Sequence, residues 1–86
     1  MPNEVFEISK HASEQLLLRN ISEELIFKVL HFPDKVLKDV AGVSVYQKIF
    51  NDGNIPYLYR VFVNTDKNPS LVITAYKTSK FKKYEN

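Results

Sequence analysis

The chain is predicted to fold as an α+β domain, with two N-terminal helices packed on one face of a twisted antiparallel sheet of four or five strands. Three observations predict it. Apolar residues recur at helical spacing as far as Pro33, and at every second position beyond it. Turn-forming clusters, Ala41-Gly42, Asn51-Asp52-Gly53-Asn54 and Asp66-Lys67-Asn68-Pro69, cut the second half into strand-length segments. With 86 residues there is room for one core, because chains below roughly 100 residues rarely divide. Residues 1–86 are therefore read as a single domain.

The elements follow in order. Val5-Phe6-Glu7-Ile8 has the composition of a short edge strand. Ser9 caps a helix from Lys10 to about Arg19 with Ala12, Leu16 and Leu17 as inward candidates. Ser22 caps a second helix, where Glu23 and Glu24 meet the positive end of the dipole and Ile21 is placed to staple onto Ile26. Leu25, Ile26, Val29 and Leu30 form its buried stripe. Pro33 stops it, since the residue before a proline is driven out of the α region. Strands are expected near 35–40, 43–50, 56–64 and 70–76, joined by connections short enough for an antiparallel meander.

Composition narrows the chemistry. There is no cysteine, which excludes disulfides, thiolate metal sites and cysteine nucleophiles and suits a reducing cytosol. No apolar run approaches the roughly 20 residues that span a bilayer, and Met1-Pro2-Asn3-Glu4-Val5 does not open a classical export signal, so a cytoplasmic protein is expected. Two histidines and scattered carboxylates give no metal-ligand spacing. With only Gly42 and Gly53 available, no phosphate-cradling glycine loop exists, and no cofactor is expected. The net charge of +2 is unevenly placed. Lys77, Lys80, Lys82 and Lys83 against Glu85 give the C-terminal segment +3, leaving −1 on the rest. With Phe81 and Tyr84 this segment reads either as a polyanion contact or as a solvated tail.

Strand alternation carries the functional expectation. The more aliphatic set of each strand is expected to meet the helices: Val43, Val45 and Ile49 with Gln47; Tyr57, Tyr59, Val61 and Val63; Leu71, Ile73 and Ala75. The other sets then gather Tyr46, Lys48, Arg60, Thr74 and Tyr76 on the far face. Arginine offers a fork that fits a phosphate, lysine a point charge, and tyrosine a ring for a base or a proton to exchange. An ordinary solvated strand face has the same composition. Arg60, between Tyr59 and Val61, needs a partner wherever it points. His11 falls in the first turn of the first helix, where the dipole favours a neutral imidazole able to act as a base, or one that only packs. His31, at the end of the second helix, reads as structural.

Ser9-Lys10-His11-Ala12 followed by Arg19-Asn20-Ile21-Ser22 resembles the opening of a family of small bacterial proteins with a Ser-x-His-Ala signature, and Val72-Ile73-Thr74-Ala75-Tyr76 resembles its closing strand. That family is similar to BrnT and, more distantly, to the RelE and ParE toxins. The resemblance, from about Ile8 to Tyr76, implies a RelE-like fold, an RNA-cleaving site on the sheet, a cytosolic location and a cognate protein antitoxin. It marks His11, Arg60, Thr74 and Tyr76. Gln15 departs from it, standing where Glu or Arg is usual.

The functional expectation is metal-independent RNA cleavage by attack of the 2′-hydroxyl. Arg60 would stabilise phosphate with Lys48 assisting, and His11 or Tyr76 would move protons. Tyr46, Thr74, Lys80, Lys82 and Lys83 would hold substrate. The alternatives are a non-catalytic module that binds protein or nucleic acid, or a ParE-like inhibitor of a protein target.

Overall fold

A computed structural model describes residues 5–38 and 41–80. The order is β1 (Phe6–Ile8), α1 (Lys10–Leu18), α2 (Glu23–His31), β2 (Lys35–Lys38), β3 (Val43–Asp52), β4 (Ile55–Asn64) and β5 (Ser70–Thr78). The fold is α+β with a five-stranded sheet in the spatial order β1-β5-β4-β3-β2. The last four strands form the expected antiparallel meander. β1 departs from expectation, because it pairs parallel with β5 and makes the sheet mixed. The two helices carry the chain from β1 to β2 at the far edge of the sheet, and three antiparallel pairings then bring β5 back beside β1 in the same direction. Among the described residues, no helix is long and apolar enough to cross a membrane.

Both helices begin at the serines the sequence marks. The Ser9 hydroxyl accepts from the Ala12 amide at 3.0 Å, and that of Ser22 from the Leu25 amide at 3.1 Å. α1 ends in a way the sequence reading did not anticipate. Asn20 takes a left-handed conformation, φ 58°, the Asn20 amide donates to the Leu17 carbonyl, and the Ile21 amide donates to that of Leu16. This is a Schellman motif, in which a left-handed residue closes the last carbonyls and the next apolar side chain folds back onto the helix. Ile21 and Leu16 are accordingly both buried. Leu17, expected to point inward, is 83% exposed, since the inward arc of so short a helix holds only Ala12 and Leu16.

One buried cluster unites the elements: Phe6; Ala12 and Leu16 of α1; Ile21; Ile26, Val29 and Leu30 of α2; and Tyr46, Tyr59, Val61, Val63, Val72 and Ala75 of the sheet. Cross-strand partners share a face, so the register assigns that face strand by strand. Val61 pairs with Tyr46 and Val63 with Ser44, which puts Ser44, Tyr46, Lys48 and Phe50 on the core side of β3. The expected phase of β3 is thus reversed, and Val45, Gln47 and Ile49 project from the opposite face with Phe62, Arg60 and Leu58. β3 has apolar residues in both alternating sets, so hydrophobicity does not choose between them. Tyr46 does, because its ring reaches an edge-on contact with Phe6, centroids 5.8 Å apart.

β5 holds an irregularity that fixes the opposite face. Val72 pairs with Val63 and Thr74 with Phe62, so β5 carries one extra residue there, a β-bulge. The alternation inverts across it. Val72 and Ala75 both lie in the core, although they are three residues apart, and Tyr76 turns to the other face opposite Arg60.

The turn between β2 and β3 rests against the one between β4 and β5. The Thr65 amide and hydroxyl both donate to the Gly42 carbonyl, at 2.8 and 3.0 Å. Gly42 has φ +76°, and a Cβ there would collide with the Asp66 carboxylate, whereas Gly53, at φ +64°, has open space around it. Both replacements by alanine incur the left-handed penalty of roughly 1–2 kcal/mol. Gly42→Ala must also displace Asp66, so urea unfolding should show it to be the more damaging of the two.

Candidate phosphate-binding face

The opposite face is organised as transverse rows. Lys35 pairs with Gln47, Gln47 with Arg60, and Arg60 with Tyr76, which sets one polar row across β2, β3, β4 and β5. The neighbouring row runs Leu37, Val45, Phe62, Thr74. Arg60 is half-buried and held from two sides. Its Nε donates to Gln47 Oε1 at 2.8 Å, and its Nη1 donates to the Tyr76 hydroxyl at 2.7 Å. The guanidinium lies 5.4 Å from the Phe62 ring centroid and 5.8 Å from that of Tyr76, within cation–π range. Gln47 is only 4% exposed. The partner that Arg60 needs is therefore a buried amide and a phenol.

Such an arrangement does two things chemically. A guanidinium fixed by a side-chain oxygen and framed by two rings has few orientations, so its donors are pre-aimed. A phenol can accept from a guanidinium and also donate its own hydrogen, so the pair is able to take part in a hydrogen-bond network. A tetrahedral anion beside the row would meet a directed cation and a group able to exchange a proton.

Of the other residues singled out from sequence, Thr74 stands in the adjacent row, yet its hydroxyl is engaged by α1: it donates to Gln15 Oε1 at 2.8 Å and lies 3.4 Å from Arg19 Nη1. Tyr46 and Lys48 are not on this face. Tyr46 is a core residue, and Lys48 projects from the core side, where its Nζ pairs with Asp34 Oδ1 at 3.3 Å. The reason is the reversed phase of β3. His11 is exposed in the first turn of α1 and makes no hydrogen bond, ion pair or ring contact among the described residues. His31 packs edge-on against Phe6, centroids 5.7 Å apart, as a structural residue does. Lys80 is exposed beyond β5, while Lys82 and Lys83 lie outside the described residues. Sequence reasoning missed Gln47 and Lys35 as members of the face. The signal for Gln47 was present, since it was the single polar member of a set assigned to the core.

The core face has a second group of cations and rings beyond the aliphatic core. Lys77 lies over Tyr57 and Tyr59, at 5.2 and 6.0 Å, and Lys48 lies over Phe50 at 5.9 Å. Burial, helped by the negative charge of Asp52 and by Tyr57, pushes the Tyr59 phenol up from its ordinary value. Here the lysines rest on the rings themselves. Among the described residues no group of three or more His, Asp or Glu could hold a metal ion.

Residues 8–77 match the family model DUF4258, described as a domain of unknown function. The chain belongs to that family. The DUF4258 region contains the whole polar row, the α1 residues that engage Thr74, and the meander as far as Lys77 of β5, and it ends before Lys80. No curated protein and no solved structure matches the chain.

Two outcomes follow from this geometry. Arg60→Ala removes the donor from a buried glutamine oxygen, so it should cost about 1–3 kcal/mol. That exceeds the roughly 0.5 kcal/mol of an ordinary surface change. Adding Gln47→Leu should recover part of the loss in urea unfolding, since an apolar pair leaves nothing unsatisfied. Asp34 supplies the second outcome. Its carboxylate accepts from the Ile49 amide at 3.0 Å, and this, with Lys48, holds its pKa below the ordinary value despite some desolvation. A group depressed in the folded state adds stability that is present above its unfolded pKa of about 3.9 and disappears as pH falls through the folded value. Asp34→Asn should therefore flatten the acid side of a stability–pH profile, measured by urea unfolding between pH 5 and pH 2 as roughly the range of that linkage.

Proposed function

We propose that this chain is a RelE-like, metal-independent endoribonuclease, the toxin of a toxin–antitoxin pair, with the Lys35–Gln47–Arg60–Tyr76 row as its RNA-binding site. The observation that carries the reading is the Arg60 guanidinium held between the Gln47 amide and the Tyr76 hydroxyl. In the reaction the 2′-oxygen forms a bond to the adjacent phosphorus and the bond to the 5′-oxygen breaks. The 2′-proton is taken up by a base, and the departing oxygen receives a proton from an acid. Arg60 neutralises the charge that gathers on the non-bridging oxygens, a task worth about 10²–10³ in rate for one well-placed donor. Tyr76 is the proton-transfer group within reach of the same phosphate. Phe62 offers a ring for a neighbouring base, in the place first given to Tyr46. Lys48 has no part in the site. The proposal includes a cytosolic location, an RNA substrate without cofactor, and a cognate protein antitoxin.

A second reading, a non-catalytic grip on RNA, is favoured by one observation. Beside Arg60 the described residues place a single group suited to proton exchange, Tyr76, while His11 makes no contact with it. The two readings separate in one assay. Purified protein incubated with single-stranded RNA in EDTA should leave 2′,3′-cyclic phosphate ends, and a 2′-deoxy substitution at the cut position should abolish cutting. Arg60→Ala should slow cleavage by about 10²–10³-fold while remaining folded, and Arg60→Lys should recover little, because an ammonium lacks the fork. Binding without cleavage would support the grip, and neither binding nor cleavage would end both readings.

A further inference from the structure

We infer that Arg19 is a positioning residue for the Arg60–Tyr76 pair, acting through the bulge in β5. Among the described residues β1 pairs with Ser70–Val72 of β5, and the Ser9 amide closes that pairing on the Val72 carbonyl at 3.0 Å. Past that point the edge of β5 is met by α1. Arg19 Nη1 donates to the Ala75 carbonyl at 2.6 Å, and Gln15 Oε1 accepts from the Thr74 hydroxyl at 2.8 Å. Both contacts fall on the residues immediately after the inserted position, where the alternation of β5 inverts.

The inversion decides where Tyr76 goes. Were the alternation unbroken from the buried Val72, Thr74 and Tyr76 would share its face and enter the core side. The bulge is what brings Tyr76 opposite Arg60. A bulge interrupts the ladder and is a point at which a strand can re-register. Arg19 supplies a charged donor to the Ala75 carbonyl at that point, and the hydrogen bond to Gln15 fixes Thr74 one residue earlier.

The helix end is built to aim this arginine. Arg19 is the C-cap of α1, its own amide donates to the Gln15 carbonyl at 2.9 Å, and the left-handed Asn20 closes the Schellman motif behind it. Arg19-Asn20-Ile21-Ser22 thus has one physical role along its length. Arg19 reaches the sheet, Asn20 ends the helix, Ile21 is anchored in the core, and Ser22 starts α2. The inference rests on the proposed use of the Arg60–Tyr76 pair in RNA binding, but its structural half is testable without RNA.

The test is Arg19→Met, which keeps an apolar stem and removes the donors, read by NMR and by RNA cleavage in parallel. In the parent, the Arg60 Nε–H should exchange slowly, and nuclear Overhauser contacts should join the Tyr76 ring to Arg60 and Phe62. Arg19→Met should lose both signatures while the Val61–Tyr46 contacts of β4 and β3 persist, and cleavage should fall by about 10²-fold, the scale of a roughly 1 Å misplacement. Arg19→Lys, with one donor for the Ala75 carbonyl, should restore most of both. Thr74→Val gives the same NMR test if Arg19→Met is too unstable to read. Unchanged Arg60 exchange and Tyr76 contacts in the folded variants overturn the positioning role. A parent inert on RNA whose variants still lose the NMR signatures leaves positioning intact and removes the ribonuclease reading instead.

Discussion

Between Val72 and Ala75 the fifth strand carries one residue more than the strand it pairs with, and the alternation of the rest of β5 is set at that step. Side chains in a strand alternate with a strict period of two, so a strand has one inward set unless a residue is inserted. Here the insertion lets Val72 and Ala75 both fill the core while Tyr76 faces away from it. Without it, packing and the opposite face would compete for the same positions. With it, the aliphatic demand of the core and the polar row coexist in one short strand.

The polar row has an energetic logic of its own. A half-buried arginine in an inner strand loses hydration, and the loss must be offset by donors finding acceptors. Gln47 and Tyr76 accept from it, and Phe62 and Tyr76 add cation–π contacts of about 0.5–1 kcal/mol each. Buried polar groups of this kind are not the cheapest way to stabilise a sheet, since an apolar pair of similar shape is often as stable. A chain that keeps Arg60 and Gln47 there retains a directed cation whose orientation is fixed before any ligand arrives. The lysines on the core side are different. Each rests over a ring or pairs with a carboxylate, and such contacts act as covers for apolar surface.

Much of this was legible in the sequence. Ser9, Ser22 and Pro33 marked the helices, and the glycine- and asparagine-rich clusters marked the turns. Arg60 declared itself as a cation that must find a partner. What was not legible were relations between elements. β3 alternates aliphatic with aromatic residues, so both faces look apolar, and only the reach of Tyr46 to Phe6 selects the inward one. The polar Gln47 was the clue that the chosen phase was wrong. In β5, strict alternation put Tyr76 on the correct face and Val72 on the wrong one, because a bulge leaves no mark in composition. β1 entered the sheet parallel, beside the last strand of the meander and not beside β2, the next strand in the chain. Arg19 was marked as the end of a helix and the start of the Arg19-Asn20-Ile21-Ser22 segment, and its partner Ala75 lies 56 positions away in the chain.

The proposed RNA site lies on one face of the sheet, and the lysine–tyrosine group of the other face is left to packing. Photocrosslinking separates these directly. Single-stranded RNA carrying 4-thiouridine, irradiated with the protein in EDTA and mapped by mass spectrometry, should attach at Phe62 and Tyr76. Those rings frame Arg60. Adducts confined to Phe50, Tyr57 and Lys77, or no salt-sensitive adduct at all, would contradict it.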